Sequence, residues 1–165
     1  MLKHILYATD LGLYGPYVLN QVARLSASTG AKVDILHVIE PMGVFAESII
    51  DTYIDDGRKA YLREQGMAQV LDSIKRQVCD TLESDYQQDI SNLVLGEVLV
   101  ELGKPAETII EQAKIRNADL IVLGSHGQHA YRGGLMGSVV TKVLQMSPIP
   151  IYMIPMVNLN SLSRS

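Results

Sequence analysis

The stretch Gly124–Ser138, GSHGQHAYRGGLMGS, lies between a short apolar run, Asp119–Leu123 (DLIVL), and a helix-prone segment, Val139–Met146 (VVTKVLQM). Strand, glycine loop and helix in that order suit an anion. Glycines permit positive φ and let the backbone approach a phosphate, and the amides that open a helix have no intrahelical acceptor. Ser138 adds a hydroxyl donor at the helix mouth. The stretch reads as half of a nucleotide site, so the rest of the chain must build a scaffold that brings the other half to it.

The scaffold is legible as alternating strands and helices. His4–Thr9 (HILYAT) is a short apolar run ending at Asp10 and reads as a buried strand. Gly12 and Gly15 make a turn, and Pro16 suits the first turn of a helix running to about Ser28, with Leu19, Val22, Ala23 and Ser26 at helical spacing. Thr29-Gly30 stops that helix, and Lys32–Ile39 (KVDILHVI) is a second strand closed by Pro41. Lys59 to about Glu83 is an amphipathic helix whose stripe of Met67, Leu71, Ile74, Val78 and Leu82 is core packing. Tyr86–Asn92 is polar and turn-like, and Leu93–Leu102 holds the third strand. Gly103-Lys104-Pro105 then turns into a helix through Ala106, Ile109, Ile110 and Ala113, and Asn117–Asp119 leads into the fourth strand. Pro148–Pro155 (PIPIYMIP) is the fifth, and its flanking prolines place it on a sheet edge.

The connection Met42–Arg58 mixes Phe45, Ile49, Ile50, Tyr53 and Ile54 with Asp51, Asp55 and Asp56. It reads as a solvated segment with an apolar anchor, the alternatives being a metal-binding acidic cluster or a lid over a ligand. The aspartate spacing lacks the alternation of a calcium loop.

This order predicts an α/β fold: one doubly wound domain over residues 1–155, with a five-stranded parallel sheet covered by helices on both faces and a polar tail at 156–165. Ligands of open parallel sheets bind beyond the carboxyl ends of the strands, where the strand order reverses. Asp10 and the glycine loop both lie at such ends. Beside the loop, Asp10 can accept hydrogen bonds from ribose hydroxyls or a base, the alternative being a cap for the following helix.

Other chemistries fit less well. A net charge of -4 argues against nucleic acid, and no apolar stretch approaches the roughly 20 residues that span a membrane. The apolar run in MLKHILYATDL is too short for a secretory signal, so a cytoplasmic protein is expected. Cys79 is the single cysteine, spaced from Ile74, Val78 and Leu82 as a buried small hydrophobe. His126 and His129 lack a third ligand for zinc, His37 lies within a strand as a packed or hydrogen-bonded histidine, and Arg132 reads as an exposed loop arginine. No P-loop and no G-x-G-x-x-G follows strand 1. A phospho-receiver domain would need an acidic pair after strand 1, an aspartate ending strand 3 and a lysine ending strand 5. The chain has Asp10, Glu101-Leu102-Gly103 and Ile154-Pro155 there.

Gly124 and Gly127 enclose Ser125-His126, nine residues run from Gln128 to Met136, and Gly137-Ser138 follow. With ILYATD, LHVIEP, GKPAETIIEQA, ADLIVLGSHG and GSVVTKVLQMSPIPIYMIP, this spaced motif resembles the ATP-binding branch of the universal stress proteins over nearly the whole chain. The resemblance implies strand order 3-2-1-4-5. It also implies adenine and ribose contacts at Ala8, Asp10 and the backbone of Val38, with Leu123 and Gly124 beside the ribose. Phosphate contacts would fall on Gly127, Gly137, Ser138 and Val139. After Asp10 this chain carries Leu11-Gly12 where many members carry a small pair such as Gly-Ser, which leaves ATP, ADP and AMP all open as ligands. The resemblance further implies a homodimer through the strand 5 edge. The functional expectation is an ATP-binding regulatory or stress-response module read by a partner protein. The alternatives are a slow Mg²⁺-dependent ATPase using His126 or His129, and a nucleotide-free scaffold.

Overall fold

The computed structural model describes residues 1–10, 15–40, 57, 67–85, 91–125 and 136–155. Five short runs rich in Ile, Val and Leu form the strands β1 (His4–Thr9), β2 (Lys32–Ile39), β3 (Val94–Leu102), β4 (Leu120–Gly124) and β5 (Ile151–Ile154). All pair in parallel in the order 3-2-1-4-5, which puts β1 and β4 side by side in the middle and β5 on an edge. The described helices are α1 (Gly15–Thr29), α2 (Met67–Asp85), α3 (Pro105–Ile115) and α4 (Ser138–Met146).

Successive residues of a strand point to opposite faces, so a strand covered on both sides must be apolar throughout. In β1, Ile5 and Tyr7 pack with Val18, Leu19 and Val22 of α1 and with Val78 of α2. The intervening Leu6 packs with Ile109 and Ile110 of α3 and with Val140 and Val143 of α4. The sheet therefore separates two cores, which is the doubly wound arrangement expected. Each large side chain buried this way contributes about 1.5–3 kcal/mol. On α2, Val78 is buried as the stripe requires, whereas Cys79, expected to be buried, is only half-buried. Adjacent positions on a helix lie about 100° apart, so Cys79 sits at the margin of the stripe.

The helices end where backbone chemistry requires. Gly30 has φ +72 and donates its amide to the Ser26 carbonyl, closing α1. Asn117, at φ 52, closes α3: its amide reaches the Lys114 carbonyl and the next amide, from Ala118, reaches Ala113. The boundaries differ slightly from expectation at β5, which is confined to Ile151–Ile154 because Pro148 and Pro150 offer no amide to a ladder. Residues 11–14, 41–56, 58–66, 86–90, 126–135 and 156–165 lie outside the described set. That removes the acidic connection, the start of the helix expected from Lys59, and the polar tail.

At the amino ends of the strands sits a polar cluster that the apolar pattern of β2 gave no sign of. Asp34 is completely buried. Its carboxylate accepts from the Glu97 amide at 2.8 Å, from Arg116 Nη1 at 2.9 Å and from His4 Nε2 at 2.8 Å. The other ring nitrogen of His4, Nδ1, lies 2.9 Å from the Arg116 carbonyl. Val33 is opposite Leu95 while Ile35 is opposite Val98, so Gly96 and Glu97 together face Asp34 in a bulge. A Cβ on Gly96 would collide with Asp34 Oδ1, which is why the bulge needs glycine there. Burial works to raise the Asp34 carboxyl, and the Glu97 amide, the Arg116 guanidinium and the His4 ring outweigh it, holding the group below the ordinary carboxylate value.

Candidate functional site

The candidate residues gather at the opposite, carboxyl end of the sheet. Ala8 and Asp10 lie at and just past the end of β1, Val38 near the end of β2, and Leu123 and Gly124 at the end of β4. Tyr7 pairs with Val122, which sets Ala8 level with Leu123. Four of the candidates share one apolar patch: Leu123 is buried in the core between the sheet, α3 and α4, and Ala8, Val38 and Val139 are partly buried against it. The same patch thus joins strand residues far apart in sequence to the first turn of α4. Asp10 is half-buried beside it.

The two ends of the glycine stretch are tied together. The Gly137 amide donates to the Ser125 carbonyl at 3.0 Å, and the Ser125 amide donates in turn to the Ile154 carbonyl of β5 at 2.9 Å. The amino end of α4 is thereby held against the carboxyl end of β4. Gly137 is the N-cap, with no side-chain cap bond, and the first bond inside the helix runs from the Thr141 amide to the Gly137 carbonyl at 3.1 Å. The amides of Ser138 and Val139 precede that bond and so have no acceptor within the helix. Ser138 is exposed, with its hydroxyl on the same first turn.

This arrangement can take an anion at the α4 amino end, where aligned peptide dipoles and unpaired amides favour negative charge. It can take an apolar group on the Ala8, Val38 and Val139 patch, and a carboxylate at Asp10 can accept from hydroxyls. Gly137, expected among the phosphate contacts, donates its own amide to the Ser125 carbonyl. Gly127, His126, His129 and Arg132 lie outside the described residues. Among the described residues no group of three His, Cys, Asp or Glu side chains is placed to hold a metal ion. No described helix is long and apolar enough to cross a membrane.

Sequence reasoning passed over one feature of this end. His37, expected to be a packed or hydrogen-bonded strand histidine, does form such a bond, and its partner is the Thr9 carbonyl at 2.9 Å. Thr9 is the residue before Asp10, and His37 the residue before Val38.

Sequence and fold both have relatives among known proteins. The sequence model of the universal stress protein family matches residues 1–155. Universal stress protein A homolog 1 of Coxiella burnetii is 30% identical over 149 residues, covering 88% of this chain and 90% of its own length. The solved structure of the Methanocaldococcus jannaschii universal stress protein MJ0577 has the same fold, with a TM-score of 0.70 at 23% identity, covering 96% of this chain and 99% of its own. Two further solved universal stress proteins share the fold. One, in complex with cAMP, has a TM-score of 0.57 at 18% identity and covers 93% of this chain and 97% of its own. The other, from Archaeoglobus fulgidus in complex with dAMP, has a TM-score of 0.55 at 19% identity and covers 93% and 98%.

Proposed function

The chain belongs to the universal stress protein family, and from that premise we propose that it is a nucleotide-binding regulatory module that takes ATP, or AMP or ADP in the same place. The observation that carries the reading is the bond from the Gly137 amide to the Ser125 carbonyl. It brings an anion-seeking helix end to the strand ends that carry Asp10 and the apolar patch. In this reading the adenine lies against Ala8 and Val38, Asp10 accepts from the ribose, and Leu123 and Gly124 border the sugar. The phosphates take the Ser138 and Val139 amides and the Ser138 hydroxyl, with Gly127 completing the glycine side. The adenine nucleotides in the two ligand-bound relatives support the same ligand class.

The module acts by being read. Occupancy would change the dimer surface or the stretch Gln128–Met136, and a partner protein reads that state. A second copy of the chain pairs along β5, where Tyr152 is exposed and Leu144 and Met146 expose further apolar surface on the last turns of α4. Pairing two such edges would satisfy backbone groups that otherwise template other chains.

Mass spectrometry of co-purifying small molecules, followed by calorimetric titration with ATP, ADP and AMP, tests the reading. Saturable binding of an adenine nucleotide is expected. No heat with any of the three would reduce the chain to a dimeric scaffold, and steady release of phosphate from ATP would make it a slow ATPase instead. Sedimentation over a wide concentration range should give a dimer; a monomer mass throughout would remove the β5 pairing.

A further inference from the structure

We infer that His37 is a positioning residue for the nucleoside end of the site, tying the end of β1 to the end of β2 so that Asp10 and Val38 are fixed relative to one another. The inference rests on the nucleotide reading above. Thr9 and His37 are opposite each other in the β1–β2 register. His37 Nδ1 lies 2.9 Å from the Thr9 carbonyl oxygen. A carbonyl oxygen only accepts, so Nδ1 carries a proton and donates. The bond therefore holds the last carbonyl of β1, and the next residue, Asp10, is the one that leaves the sheet carrying the proposed ribose acceptor.

The far side of β2 is held as well. The Gly103 amide, in the turn after β3, donates to the Ile39 carbonyl at 3.0 Å. Val38 is thus flanked by two bonds, one to each neighbouring strand end. His37 acts from behind the sheet. Side chains alternate along a strand, and Val33 and Ile35 belong to the core under α1 and α2, while Leu36 and Val38 belong to the core under α3 and α4. His37 therefore sits on the face opposite α4, away from the helix end that would take the phosphates. It can set the geometry of the nucleoside contacts without touching the ligand.

The test separates this role from general support of the fold. In His37→Asn the side-chain amide nitrogen stands close to the place of Nδ1, whereas in His37→Gln it reaches toward the place of Nε2. His37→Ala and His37→Gln are expected to weaken ATP and AMP by the same factor, roughly three- to tenfold for one lost hydrogen bond. His37→Asn should restore both, and the ATP-to-AMP ratio should stay constant because the lesion is at the nucleoside. Melting curves without ligand confirm that each variant is folded. Should His37→Ala fail to fold, the Asn and Gln pair still decides. Equal affinity in Gln and Asn variants overturns the inference, as does a loss confined to ATP. Nitrogen-15 spectra of the unsubstituted protein should show the ring proton on Nδ1; a proton on Nε2 alone also overturns it. Absence of nucleotide binding by the unsubstituted protein is seen before any variant is made and overturns the nucleotide reading itself, taking this one with it.

Discussion

The two ends of the sheet solve opposite problems. At the amino ends, a buried carboxylate, Asp34, is surrounded by donors from β1, β3 and the end of α3, so the chain answers its own charge. Among the described residues only Arg116 Nε is a buried side-chain atom left without a partner there. At the carboxyl ends the polar groups include the opening amides of α4, an exposed serine hydroxyl and the half-buried Asp10. One end is closed by side chains that saturate each other. The other is held in shape by backbone bonds, Gly137 to Ser125 and Ser125 to Ile154, and by the His37 ring on the Thr9 carbonyl, with Ser138 exposed on the first turn of α4. Stability and binding should therefore be separable by substitution.

The largest effect should follow Asp34→Ala. It strands Arg116 and His4 without their buried acceptor, and losing one partner of a buried ion pair costs about 3–5 kcal/mol. Urea unfolding should report that loss, while nucleotide affinity measured well below the melting point stays the same. A parallel loss of affinity would mean that the two ends are coupled. The same carboxylate should shape the acid limb of stability. Burial raises the Asp34 carboxyl, its three donors hold it lower, and the result lies below the ordinary 3.8. The amides of Lys3 and then His4 likewise lower the Asp119 carboxyl. A carboxyl depressed in the folded state stabilises above its unfolded value, and that contribution is lost as pH falls through the folded one. Melting temperature should thus decline as pH drops from about 4, and less steeply in the Asp34→Ala protein.

Ser138→Ala comes next and acts at the other end. Losing one hydrogen bond to a charged phosphate should weaken ATP binding by about 1.5–3 kcal/mol and leave the melting temperature of the free protein within error. Calorimetry with ATP and a melting curve without it distinguish the two. The smallest effect belongs to Glu97→Gln. Glu97 Oε2 is 2.7 Å from Arg116 Nη2, but its side chain is 66% exposed. Solvent and salt screen such a pair to roughly 0–1 kcal/mol. A larger loss, insensitive to added salt, would show that Glu97 belongs to the buried cluster after all.

Much of this molecule was determined by the sequence alone. Continuous apolar runs separated by helical stripes require a sheet buried on both faces, and the spaced glycines and Ser138 are the pattern from which an anion site is proposed. Both are local patterns, because side-chain alternation and the conformational freedom of glycine act within a few residues. The partners of polar groups were decided only by the tertiary structure. Asp34 sits in KVDILHVI like any strand residue, and nothing nearby announces that Arg116, 82 positions later, will reach it. His37 looks like a strand histidine until β1 brings the Thr9 carbonyl to its ring across 28 positions. The Gly137 amide finds its acceptor, the Ser125 carbonyl, across 12 positions. Hydrophobic periodicity fixes which face a residue occupies. A hydrogen bond needs a particular atom within about 3 Å, and only the folded chain sets that distance.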